Sequence, residues 1–160
     1  MCTAITYKTK NTYFGRNLDL EFSYGECVTV TPRNFTLNFR HHSPLKSHFA
    51  IIGMAHIENN FPLYYDAVNE KGLAVAGLRF TDSAPYAKSS AGIASFELIP
   101  YLLGSCETLG DAKKALYNIS ITDDHFSQKL QNEPLHWMVA DKNGSLVLEW
   151  GENGLNIFDI

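Results

Sequence analysis

The chain has 160 residues, 45% hydrophobic and 12% aromatic, with 19% charged residues and a formal net charge of −4. That is the composition of one globular domain with an ordinary core. Its Lys and Arg residues form no basic run, which argues against nucleic acid or an anionic membrane surface as a partner. No stretch approaches the ~18–20 apolar residues of a membrane span, and the first residues lack a positive segment followed by an apolar one, so the expected location is cytoplasmic.

In chain order, Cys2 to Lys8 alternates as a strand, and Thr12 to Asp19 reads as its hairpin partner across Lys10-Asn11. Glu26 to Thr31 is β-branched and stops at Pro32. His48 to His56 is nearly continuously apolar, which predicts a strand covered on both faces. The polar turn Asn69-Glu-Lys-Gly72 opens onto a buried strand, Leu73 to Leu78, rich in small residues. Phe96, Ile99, Leu102 and Leu103 then fall at helical spacing, with Pro100 either starting that helix or kinking it. Thr108 is placed to cap a second helix with Asp111 in its first turn. Leu135 to Asp141 and Ser145 to Trp150 read as strands joined by Lys142-Asn143-Gly144, an Asn-Gly hairpin signal, followed by Leu155 to Phe158. Strands, two helices and strands again predict an α+β layered protein.

Cys2, Cys27 and Cys106 form an odd, sparse set that suits reduced thiols better than disulfides. The six histidines show no metal-ligand spacing. The triplets at Asn34, Asn118 and Asn143 matter as glycosylation signals only in a secreted chain.

The chemistry gathers at the N-terminus. Excision of Met1 would free an α-amine on the residue that carries the Cys2 thiol. An α-amine titrates near ~7.7–8.0 and a thiol near ~8.5, so the amine can relay the thiol proton near neutral pH. Arg16 and Asp19, in Phe14-Gly-Arg-Asn-Leu-Asp19, lie at the end of the pairing strand, within reach of Cys2. A guanidinium there favours thiolate, and a carboxylate can hold the ammonium. A solvated Arg–Asp surface pair fits those two residues equally well.

Six collinear blocks resemble the choloylglycine hydrolase family of N-terminal-nucleophile hydrolases, which includes bile salt hydrolases and penicillin V acylases. They are Met1-Cys-Thr-Ala-Ile5, Phe14 to Asp19, Val30-Thr-Pro-Arg33, Asn69-Glu-Lys-Gly-Leu73, Ala76-Gly-Leu78 and Leu135-His-Trp137. The first block and Tyr64-Tyr-Asp66 look most like bile salt hydrolases of Gram-positive gut bacteria. The resemblance implies Cys2 as nucleophile, Arg16 as the buried arginine beside it and Asp19 as the carboxylate orienting the amine. Leu18, Tyr24, Phe61 and Tyr65 fall in segments that line the family's substrate pocket. No metal or organic cofactor is implied.

Two departures stand out. Arg79 follows Ala76-Gly-Leu78 where the family carries asparagine or tyrosine at its oxyanion hole. Residues 1–160 match only the N-terminal half of the family domain, so the implied layered αββα architecture is incomplete, with unpaired strand edges and an uncovered apolar face. The implied reaction is hydrolysis of the glycine or taurine amide of a conjugated bile acid, an amphipathic small molecule. An acylase that hydrolyses penicillin V or an N-acyl homoserine lactone is the sibling reading, and a truncated, catalytically inactive homologue is the other. A homo-oligomer is implied for a full-length member.

Overall fold

A computed structural model describes residues 2–80, 85–89, 91–151 and 153–160. Its frame is a seven-stranded antiparallel sheet. In chain order the strands are β3 (Cys27–Thr31), β4 (Ile51–Glu58), β5 (Phe61–Asn69), β6 (Ala74–Arg79), β9 (Leu135–Asp141), β10 (Gly144–Gly151) and β11 (Gly154–Asp159). Across the sheet they run β11-β10-β9-β6-β5-β4-β3. The hairpin β1 (Thr3–Lys8) and β2 (Thr12–Asn17) forms a separate two-stranded sheet. A short parallel pair, β7 (Ile93–Ala94) and β8 (Ile121–Thr122), flanks the helices α1 (Leu98–Ser105) and α2 (Leu109–Leu116).

The helices cover one face of the large sheet. Ile51, Ala55, Ala67, Val75, Trp137, Val139, Leu146 and Leu148 point from the strands into one core, where they meet Leu98, Leu102, Leu103, Ala112 and Leu116. Pro100 lies in the first turn of α1, where a missing N–H breaks no helical hydrogen bond. Thr108 and Asp111 form the reciprocal cap of α2: each side chain accepts the other's backbone N–H, both at 3.1 Å. The buried Asn69 ties the turn after β5 to the end of α1. Its Nδ2 donates to the carbonyls of Leu103 and Cys106, and its Oδ1 accepts from the N–H groups of Lys71 and Leu73.

The opposite face is only partly covered. Ala76, Leu78 and Met138 meet Cys2, Ala4 and Phe14 of the hairpin, and the Thr6 and Ser145 hydroxyls share a hydrogen bond of 3.1 Å. Val28, Val30 and Ile52 on this face are exposed, as are Ile5, Tyr7 and Tyr13 on the outer side of the hairpin. The expected uncovered apolar surface is therefore present.

The structure corrects two expectations. The strand expected over His48 to His56 is β4, and it is buried on one face only: Ile51 is 1% exposed and Ile52 46%. Strand β5 was not anticipated. It is entered by a tight turn at Asn59-Asn60, whose φ values of 51° and 60° are left-handed, a conformation asparagine tolerates. The hairpin expected across Lys142-Asn143-Gly144 is present, with Lys142-Asn143 as its loop and Gly144 already in β10. Gly144 pairs with Asp141, and the Asp141 carboxylate accepts the Asn143 N–H at 2.6 Å, so an aspartate-capped turn spans Lys142-Asn143.

Candidate active site

The register of the hairpin decides which side chains meet. Ala4 pairs with Arg16 and Thr3 with Asn17. Directly opposed residues share a face, and diagonal neighbours on that face have Cα atoms ~7–8 Å apart. Cys2 lies two residues before Ala4 on the inner face, so it is the diagonal neighbour of Arg16. Its side chain is half-buried against the cluster of Ala76, Leu78 and Met138.

Arg16 is held between the two sheets with its side chain only 6% exposed. Its Nη2 donates to the Gly77 carbonyl of β6 at 2.7 Å, and Nη1 stands 3.6 Å from Oδ2 of Asp66 on β5. Among the described residues its Nε and Nη1 donate no hydrogen bond. A cavity of about 290 Å³ opens beside it, lined by Phe14, Gly15, Arg16, Leu18, Met54 and Asp66. Burial raises the Asp66 carboxyl above the ordinary aspartate value, against the opposing pull of Arg16 and a Met54 backbone hydrogen bond.

Asp66 reaches this face through a β-bulge. Met54 pairs with Asp66 but Ala55 pairs with Tyr64, leaving Tyr65 as the extra residue. Tyr64 therefore points to the helical core, where its hydroxyl shares a 2.7 Å hydrogen bond with Thr31, while Asp66 lines the cavity beside Arg16. The bulge brings backbones close at Gly53. A Cβ there would lie 2.1 Å from the Asp66 carbonyl oxygen, so no larger residue fits without a shift.

The other sequence-predicted residues take different positions. Leu18 lines the Arg16 cavity. Asp19 is exposed, two residues beyond the end of β2. Tyr24 packs against Phe22 at 4.7 Å between ring centroids. The Tyr65 hydroxyl is raised above the ordinary tyrosine range, first by burial and then by the charges of Glu26 and Tyr24. Phe61 lies in an aromatic cluster, with its ring 6.1 Å from both Phe96 and Phe126. Arg79 ends β6 with its side chain 61% exposed and Nε 3.4 Å from Glu133. Met1 lies outside the described residues. The inner face thus unites Cys2, Arg16 and Leu18, and adds Asp66, which sequence reasoning quoted in Tyr64-Tyr-Asp66 without a role.

Residues 2–160 match the family of linear amide C–N hydrolases, choloylglycine hydrolase family. The chain belongs to this family. It is 49% identical to a bile salt hydrolase/transferase of Lactiplantibacillus plantarum, over 99% of this chain and 50% of that protein. A bile salt hydrolase/transferase of Clostridium perfringens is 35% identical over 99% of this chain and 51% of its own length. The crystal structure of a mutant conjugated bile acid hydrolase from Clostridium perfringens superposes with a TM-score of 0.93 at 33% identity, covering 100% of this chain and 51% of that one. Penicillin V acylase from Agrobacterium tumefaciens shares the fold, with a TM-score of 0.76 at 17% identity over 99% of this chain and 49% of its own. The chain spans about half the length of the curated relatives it matches. The N-terminal-nucleophile hydrolase fold expected from sequence is the observed one.

Proposed function

We propose that this chain supplies the nucleophile of a cysteine amidase that hydrolyses the glycine or taurine amide of conjugated bile salts. The observation that carries the proposal is the position of Cys2, half-buried on the inner hairpin face and diagonal to the buried Arg16. Removal of Met1 frees the α-amine of Cys2. The sulfur attacks the amide carbonyl, the α-amine passes the thiol proton to the leaving amine as the C–N bond breaks, and water then cleaves the thioester to release the bile acid and restore the thiol. Asp19 orients the amine, and Arg79 stands at the position of the oxyanion donor. Leu18, Tyr24, Phe61 and Tyr65 contact the apolar body of the substrate. The names of the bile salt hydrolase relatives support this substrate class over the acylase alternatives.

Arg79 is engaged with Glu133 and largely exposed, which favours weak activity by the chain taken alone. A lost oxyanion donor commonly lowers the rate ~10²–10³-fold. The proposal includes a cytoplasmic site of action and a homo-oligomer for the full-length protein, with neither nucleic acid nor membrane as partner. The test is substitution of each cysteine in the protein containing this chain. Cys2→Ala should abolish release of glycine or taurine, with Cys27→Ala and Cys106→Ala retaining it. Equal loss at all three positions would assign the thiols a structural role.

A further inference from the structure

Arg16 carries a charge that is almost fully removed from water, and a buried charge is costly unless paired. Its partners are the Gly77 carbonyl and Asp66, on neighbouring strands: Asp66 pairs in register with Ala76, the residue before Gly77. One side chain from the Cys2 hairpin is thus gripped at two points on the large sheet. Elsewhere the hairpin has the small apolar cluster and the Thr6–Ser145 hydrogen bond. The carboxylate is supplied by a bulge, and the bulge in turn requires glycine at position 53. That is a considerable local arrangement around one arginine–aspartate pair.

We propose that Asp66 is the positioning residue for Arg16: it draws the guanidinium toward β5 and offsets its positive charge beside Cys2. The inference rests on the reading of Cys2 as the nucleophile. Without Asp66, Arg16 stays enclosed and bonded to Gly77, but its charge acts on the Cys2 thiolate and on any anion approaching it without a counter-charge. Asp66 then sets both the direction of the Arg16 donors and the local potential at the sulfur.

Alkylation of the thiols by anionic iodoacetate and by neutral iodoacetamide tests this, each cysteine being followed by peptide mass spectrometry in the chain that begins at Cys2. Both reagents consume thiolate, so their rate ratio reports local potential rather than thiolate content or general accessibility. For Asp66→Asn, the iodoacetate-to-iodoacetamide ratio at Cys2 should rise at least about threefold at low salt, with the exposed Cys27 as an unchanged control. Arg16→Met, which retains Asp66, should lower the same ratio by a similar factor. An unchanged ratio at Cys2 in either variant, with native circular dichroism, overturns the proposal. A purely structural role for Asp66 would change both rates together. Hydrolysis surviving Cys2→Ala would instead count against the amidase reading and leave the alkylation result standing.

Discussion

The two faces of the large sheet follow opposite rules. On the helical side, Val75, Val139, Leu98 and Leu102 are essentially excluded from water, and most polar groups that intrude are satisfied, the Trp137 Nε1 being an exception among the described residues. Buried Glu97 accepts the Arg40 and Ala94 N–H groups, and Asn69 fills its four hydrogen bonds. On the hairpin side, the buried Arg16 keeps two nitrogens without hydrogen bonds among the described residues, and apolar residues remain in water. One face supplies the cooperative stability of the fold. The other keeps polar groups incompletely paired around a thiol, as sites of chemistry do.

The comparison breaks most sharply in the core. Leu102→Ala empties a fully buried position and should cost ~2–5 kcal/mol in denaturant unfolding. Val30→Ser, at a residue 61% exposed on the open face, should change stability by no more than about 0.5 kcal/mol. Equal losses would mean that the open face is as closed as the helical one. A smaller effect is expected where the two faces meet. Gly53→Ala forces the bulge apart and should destabilise by about 1–3 kcal/mol, because the obstructing atoms are backbone. A neutral result would show that the bulge tolerates relaxation and that Asp66 is not fixed by it.

The smallest effect concerns acid. Glu70 is pulled from its ordinary 4.5 to about 2, first by the hydrogen bonds from Arg33 and then by the Ala50 N–H. A depressed carboxylate contributes stability that is complete above its ordinary value and is lost as pH falls through the folded one. The thermal midpoint should therefore include a decline from pH 4.5 towards about 2 that Glu70→Gln removes. An identical acid profile in the variant would show that this exposed pair contributes nothing, as solvent screening often dictates.

Much of this was legible in sequence because it is local. The Cys2 hairpin, the Thr108 cap, the Asn69–Gly72 turn and the nearness of Arg16 to Cys2 all follow from alternation, capping residues and turn chemistry. What escaped depends on pairing between segments. The bulge at Tyr65 breaks the alternation of β5, so no period-two pattern marks that strand, and its true signal was the Asn59-Asn60 turn. The loop of the β9–β10 hairpin lies one residue earlier than the Asn-Gly signal suggests, because the Asp141 side chain caps Lys142-Asn143. Asp66 was missed for the same reason as β5: its side chain faces Arg16 only after the bulge has shifted the register.

The central claim is that the Cys2 sulfur forms the covalent intermediate. Acid quenching of the protein containing this chain during turnover of a taurine-conjugated bile salt, followed by peptide mass spectrometry, tests it directly. The account predicts a bile acyl group in thioester linkage on an N-terminal peptide that begins at Cys2, absent from a form that retains Met1. Full turnover with Met1 still attached, or an acyl group on Cys27 or Cys106 instead, would contradict it.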